Sequence, residues 1–329
     1  MTSIAPLIQA FFHDRLLNQL RVSPNTIAAY RDTFKLFFEF LKLKLNKSPS
    51  KINIGDVDAQ VIGDFLIHLE KERKNSLRTC NARLAAIHSF FKYLEYREPE
   101  YLGQIQRVLS ISHKRCEKRT VTFLNDDEVK AILTAPDRKI WKGRRDHMLI
   151  FLAIQTGLRV SELTNLTPKQ LYLETGAHIR CFGKGRKERC TPLTQQSITL
   201  LKEWLKELNG VDSAPLFPNN RGTVLSRDAV EKLIKKYTKM AKKNCPSLNE
   251  KRISPHTLRH TTAIQLLQAG VDCSLIGLYL GHESLETTQI YLKADLSIKE
   301  KAISSVMPLQ TKYRRYRADD GFLEFLNAL

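Results

Sequence analysis

The sequence predicts a mainly α-helical protein in two parts, a small helical bundle and a larger helical domain carrying one β-hairpin. Three observations predict it. Apolar residues recur at three- and four-residue spacing through most of the first hundred positions, a basic stretch without periodicity follows at 110–120, and a single strand–turn–strand pattern interrupts the helical spacing beyond it.

In residues 24–43, PNTIAAYRDTFKLFFEFLKL, the positions Ile27, Tyr30, Phe34, Phe37, Phe38 and Leu41 fall on one helical face. Ser23 and Pro24 supply the N-cap and the first helical residue. A second helix carries Val57, Val61, Ile62, Phe65, Leu66 and Leu69; a third carries Leu77, Leu84, Ile87, Phe91 and Leu94. A weaker one is expected around residues 8–20. Arg31, Lys35, Arg78, Arg83 and Lys92 stay off the apolar stripes, as solvated charges do. The stretch SISHKRCEKRT, 110–120, reads as a linker. After it, Asn125 followed by Glu128 and then Val129, Ile132 and Leu133 marks a capping-box helix start. Within the second region HIRCFGKGRKERCTPL, 178–193, has strand-like runs on either side of a glycine-rich basic turn.

The charge balance narrows the partners. A net charge of +19, from 53 Lys+Arg against 34 Asp+Glu, creates a field suited to a polyanion such as nucleic acid or an anionic membrane. Residues 1–118 hold 19 basic and 12 acidic side chains and the remainder 34 and 22, so both halves carry the excess. The longest purely apolar run, Met148 to Ile154, is far short of a membrane span, and the opening MTSIAPLIQAFFHDRL lacks the regions of a signal peptide. A protein that stays in a cytoplasmic compartment is the expectation. The six cysteines, 80, 116, 181, 190, 245 and 273, form no CxxC pair and have no histidine at zinc spacing, so they are expected to be reduced core or near-core residues.

Four islands in the second region supply cationic or proton-transferring groups. In TGLRVSELTNL, Gly157 ends an apolar helix and Arg159 falls in the bend before the next one. In GKGRK, glycines flank Lys184 and would carry it outward on a turn. In SPHTLRH, Ser254 and Pro255 start a helix whose first turns hold His256 and Arg259. In GHESLETTQIYLK, His282 follows the Gly281 break and Tyr291 comes nine residues later. Helical projection puts Leu285, Thr288, Gln289 and Leu292 on a packed stripe and Tyr291 off its middle, whereas Tyr279 sits among apolar neighbours as a core aromatic would.

Together these groups suit phosphodiester chemistry. Two arginines and two imidazoles can stabilise the charge that grows on the non-bridging oxygens, a tyrosine hydroxyl can attack to form a covalent ester, and a lysine can protonate the departing oxygen. The islands contain no DxD and no dense carboxylate cluster, so no metal and no cofactor is expected.

The motifs TGLRVSELT (156–164), GKGRK (183–187), HTLRH (256–260), LGH (280–282) and Tyr291 resemble, in order and spacing, the Arg, Lys, His-x-x-Arg, His and Tyr boxes of the tyrosine recombinases. The resemblance covers about residues 120–300, and the bundle resembles the family's SAM-like core-binding domain in architecture. It implies a site-specific recombinase or integrase that cuts and rejoins double-stranded DNA through a 3′-phosphotyrosyl bond, as a homotetramer on two DNA sites, acting in the cytoplasm on bacterial nucleoid-associated DNA with no membrane partner. It further implies that Arg159 and Arg259 clamp the scissile phosphate, His256 and His282 handle charge and protons, Lys184 is the acid to the 5′ oxygen, Tyr291 is the nucleophile and Glu162 supports the site. The expected domains are a core-binding domain at 1–109, the linker at 110–120, a catalytic domain at 121–311, and a basic tether with a C-terminal docking helix at 312–329. A type IB topoisomerase-like relaxing enzyme shares this chemistry, and a non-catalytic DNA-binding accessory factor would have lost at least one of the six groups. Size and spacing favour recombination.

Overall fold

A computed structural model describes residues 2–116, 121–182, 188–208, 214–282, 288 and 291. The chain divides into two compact units, Met1–Lys118 and Arg119–Leu329.

The first unit is a helical bundle. Helix α1 (Ile4–Ala10) continues into a π-helical stretch, Phe11–Gln19, in place of the weak helix expected at 8–20. Helices α2 (Pro24–Leu45), α3 (Ala59–Lys71) and α4 (Leu77–Leu94) follow, each begun by a side chain that takes up an otherwise unpaired backbone N–H. Ser23 accepts from the Thr26 N–H, Asp58 from that of Val61 and Ser76 from that of Thr79. The eight-residue α5 (Leu102–Leu109) goes beyond the helices that the periodicity indicated; it is too short to display a repeated stripe. Phe11, Phe34, Phe37, Phe65, Phe90 and Phe91 form an aromatic centre. Arg31, Lys35, Arg78 and Lys92 are exposed. Arg83 instead is partly buried and ties α4 to α2 by donating to the Ala29 carbonyl (3.1 Å) and the Thr33 hydroxyl (2.9 Å).

The second unit is built around α7 (Trp141–Thr156), whose residues Met148 to Ile154 are all buried. Such a helix must be wrapped on every side, and α6 (Asp126–Thr134), α8 (Val160–Thr164), α9 (Gln195–Glu207) and α11 (Pro255–Gln268) all pack on it. The capping box at Asn125 and Glu128 opens α6 as the sequence indicates. The antiparallel pair β2 (His178–Phe182) and β3 (Glu188–Pro192) forms the expected hairpin, with Ile179 opposite Thr191. A two-residue β1 (Leu171–Tyr172) extends the sheet beyond the sequence reading, in the order β1-β2-β3. Helices α10 (Arg227–Ala241) and α12 (Cys273–Leu280) complete the described part.

Among the described residues no helix is long and apolar enough to cross a membrane. All six cysteines are free; Cys80 and Cys181 are buried and Cys116, Cys245 and Cys273 partly so, but Cys190 is exposed. It lies on β3 between inward-facing neighbours, and the period of two turns it outward.

Candidate active site

The site forms where the ends of α7 and α12 meet the start of α11. Gly157 ends α7 in the left-handed region (φ 59°), and Gly281 ends α12 in the same way (φ 67°). A Cβ on Gly157 would collide with the Leu280 side chain, and one on Gly281 with the Arg189 guanidinium. Both glycines are therefore favoured by conformation, and a Cβ at either would also push aside the end of a neighbouring side chain.

Three guanidinium groups converge on the carbonyls that these helix ends expose. Arg259, on α11 and only 5 % exposed, donates to the Gly157 and Leu280 carbonyls, each at 2.6 Å. Arg159 donates to the Gly281 carbonyl (2.7 Å) and to Glu162 Oε1 (3.0 Å). Arg189, on β3, reaches the Leu280 carbonyl and donates to Glu162 Oε2 (2.8 Å). Helix C-termini carry partial negative charge, which suits them to hold these cations without further carboxylates. Glu162 also accepts from the Arg159 backbone N–H (2.7 Å), so one buried carboxylate closes the cap of α8 and pairs two arginines. Three cations with one carboxylate leave the cluster positive. The bonds just named occupy two N–H groups on each guanidinium, which has five, so donors remain for an anion. Burial, then the neighbouring charges of Arg159 and Arg189, lower the Arg259 pKa to about 10. Bringing an anion here relieves that repulsion.

The histidines and the tyrosine border this cluster. His282 is partly buried, and its Nδ1 lies 2.8 Å from the Thr288 hydroxyl. Burial, then Arg259, Arg159 and Arg189, lower its pKa to about 4. His256, in the first turn of α11, is exposed on one side and stacks on His260 on the other. Partial burial of its ring and the charges of Arg227, Arg259 and Arg159 hold its pKa below the ordinary value. Tyr291 is 1 % exposed, and its hydroxyl lies 3.0 Å from His260 Nδ1. Its ring centroid is 6.2 Å from that of His282. Burial raises the Tyr291 pKa, with Arg259 opposing, so the resting group is the phenol.

The structure thus gathers Arg159, Glu162, His256, Arg259, His282 and Tyr291 from segments distant in sequence. Lys184 and its GKGRK turn lie outside the described residues, as do Leu285, Gln289 and Leu292, the tether at 312–317 and the helix at 318–329. Two expectations about tyrosines are corrected. Tyr291, projected off the packed stripe, is fully buried because its ring packs against those of His260 and His282 and its hydroxyl meets His260. Tyr279 is only half-buried and donates its hydroxyl to the Gln155 carbonyl (3.0 Å). Sequence reasoning missed Arg189 and His260. Arg189 shares the inward face of β3 with the buried Thr191, and a cation at such a position is a signal that a period of two exposes. His260 stands one turn after His256.

Residues 122–297 match the phage integrase family, and residues 8–98 match the phage integrase N-terminal SAM-like domain. The chain belongs to the phage integrase family of tyrosine recombinases. It is a site-specific DNA recombinase of mainly helical fold, with a SAM-like N-terminal domain. Among its relatives it is 49 % identical over 327 residues to the putative integrase/recombinase y4rC of Sinorhizobium fredii, covering 99 % of this chain and 98 % of that protein. It is 33 % identical over 298 residues to the tyrosine recombinase XerC of Thermodesulfovibrio yellowstonii, covering 87 % and 92 %. The crystal structure of XerH site-specific recombinase bound to its palindromic difH substrate in a post-cleavage complex superposes with a TM-score of 0.66 at 27 % identity, covering 85 % of this chain and 79 % of that one.

Proposed function

We propose that this recombinase cleaves duplex DNA by attack of the Tyr291 hydroxyl on a phosphodiester held by Arg159 and Arg259. The Oη–P bond forms as the P–O5′ bond breaks, which leaves a 3′-phosphotyrosyl ester and a free 5′ end. Lys184 protonates the departing oxygen, His256 and His282 carry the proton and charge changes at the attacking side, and Glu162 orients Arg159. The observation that carries this reading is the placement of a buried tyrosine beside a cluster whose three arginines have one carboxylate among them. Preorganised donors of that kind are worth most where charge develops.

The reaction takes place on chromosomal or mobile DNA in the cytoplasm, in a homotetramer that pairs two DNA sites. The excess of positive charge in both halves of the sequence supports the DNA partner. Residues 318–329, ADDGFLEFLNAL, place Phe322, Phe325, Leu326 and Leu329 at helical spacing and are the segment we assign to docking between protomers. Deleting them should preserve single-site binding and impair synapsis; a truncated protein that still pairs two sites would remove that role.

The cleavage reading is tested by incubating the protein with sheared genomic DNA of its source strain in EDTA, denaturing, and sequencing the DNA retained on protein. Wild type should retain fragments ending at one short site, and Tyr291→Phe none. Retention by Tyr291→Phe would sink the assignment.

A further inference from the structure

We infer that His260 is a positioning residue for the nucleophile, its Nδ1 holding the Tyr291 hydroxyl in the orientation from which the oxygen attacks. This rests on the reading of Tyr291 as the nucleophile and gives a role to a residue that the sequence reading left without one.

The geometry begins with the tyrosine. A phenol at 1 % exposure has no water to bond, and an unpaired buried hydroxyl is costly. Its partner is His260 Nδ1, at 3.0 Å. The rings meet edge to face, with centroids 5.6 Å apart and planes inclined at 61°, so ring packing and the hydrogen bond fix the pair together. His260 stands on the fourteen-residue α11, which also carries Arg259 and is pinned to α7 by the Thr262 hydroxyl donating to the Ile154 carbonyl at 2.6 Å. The acceptor for the nucleophile and one clamp for the phosphate are therefore consecutive residues of one rigid helix. The two side chains leave it about 100° apart, one towards the tyrosine and one towards the Leu280 carbonyl.

The protonation states give the bond its direction. Burial, then the neighbouring His256 and Arg259, lower the His260 pKa to about 4, so near neutrality its imidazole is uncharged. Tyr291 keeps its proton, as shown above. The phenol is then the donor and Nδ1 the acceptor, with the imidazole proton on Nε2. A phenolic O–H has two favoured orientations in the plane of its ring. His260 selects one and leaves the oxygen lone pairs directed away from the imidazole, ready for an electrophile. His256, one turn earlier, stacks on His260 with centroids 6.5 Å apart, and the hydroxyl contact is made by His260.

The test uses the full-length chain and a nicked duplex carrying the mapped cleavage site, with single-turnover adduct formation and DNA affinity measured separately. The variants are His260→Leu, which fills the ring's volume without an acceptor, and His260→Asn, whose amide oxygen reaches the place of Nδ1. His260→Leu should form adduct about five- to tenfold more slowly at unchanged DNA affinity, the size expected for loss of one neutral hydrogen bond. His260→Asn should recover most of that rate. A His260→Leu rate equal to wild type would make the contact incidental, and a His260→Asn rate as slow as His260→Leu would show that an acceptor at this place is not what matters. Either overturns the proposal. Tyr291→Phe in the same assay keeps the two readings apart: adduct in that variant defeats the nucleophile assignment whatever His260 does. Melting curves of both His260 variants exclude unfolding as the cause.

Discussion

Replacing Glu162 should destabilise the second unit by an amount that the network around it sets. Its carboxylate is buried and accepts three hydrogen bonds, from the Arg159 backbone, the Arg159 guanidinium and the Arg189 guanidinium. All three partners are donors. Glu162→Ala removes the shared acceptor and leaves guanidinium side chains 28 % and 11 % exposed without their counter-charge. Breaking a buried pair from one side costs about 3–5 kcal/mol, and the partial exposure of Arg159 argues for about 3 kcal/mol. For a domain of this size that is a fall of roughly 6–12 °C in melting temperature. Glu162→Gln keeps one acceptor oxygen but turns an NH2 group towards a donor, and should cost about 2 kcal/mol. The assay is tryptophan fluorescence during heating, because both tryptophans, Trp141 and Trp204, lie in the second unit and pack together at 5.6 Å. Since a bound phosphodiester would supply the missing negative charge, the loss should shrink when site DNA is present. A Glu162→Ala protein that melts within about 1 °C of wild type, or a Gln variant less stable than Ala, would refute the reasoning.

Acidification should weaken the same unit before its carboxylates titrate. His260 and His282 have folded pKa values near 4 against 6.5 in the unfolded chain, so between those limits the unfolded state binds more protons. Stability is thus full above pH 6.5 and falls towards pH 4; a fluorescence melt that is flat across this window would contradict the burial of neutral imidazoles. Gly157→Ala should cost at least about 1–2 kcal/mol for the left-handed backbone alone, with more from the contact against Leu280, and should slow cleavage by moving the carbonyl that holds Arg259. A variant with wild-type stability and rate would show that the turn is not needed. Lys184→Ala should slow cleavage far more than it weakens binding, and a substrate with a 5′ thiolate leaving group should restore the rate. Failure of that rescue would reduce Lys184 to a DNA contact.

What the sequence disclosed, and what it hid, follows from the range of the interactions involved. Helix starts at Ser23, Asn125 and Ser254 were legible because a cap and its N–H partner are three residues apart. The hairpin was legible because its strand-like runs lie on either side of one short glycine-rich stretch. The pair β1 and β2 was not, because two residues carry no period. The roles of Arg159, Arg259 and His282 could be approached through motifs, but the acceptors that hold the two arginines, the carbonyls of Gly157, Leu280 and Gly281, carry no side-chain signature at all. Tyr291 was misplaced because a helical projection sees only its own segment, whereas the ring and acceptor that cover it belong to His260, 31 positions away. Arg189 bonds Glu162 across 27 positions of sequence, a separation over which only the folded chain brings them together.

The most direct test of the central claim is to locate the bond itself. The covalent complex formed on the nicked site duplex would be digested with protease and nuclease, and the peptide that retains a nucleotide sequenced by mass spectrometry. A peptide containing Tyr291 with its phenolic oxygen esterified to a 3′-phosphate is the predicted result. A nucleotide on any other residue, or one joined through a 5′-phosphate, would contradict the account.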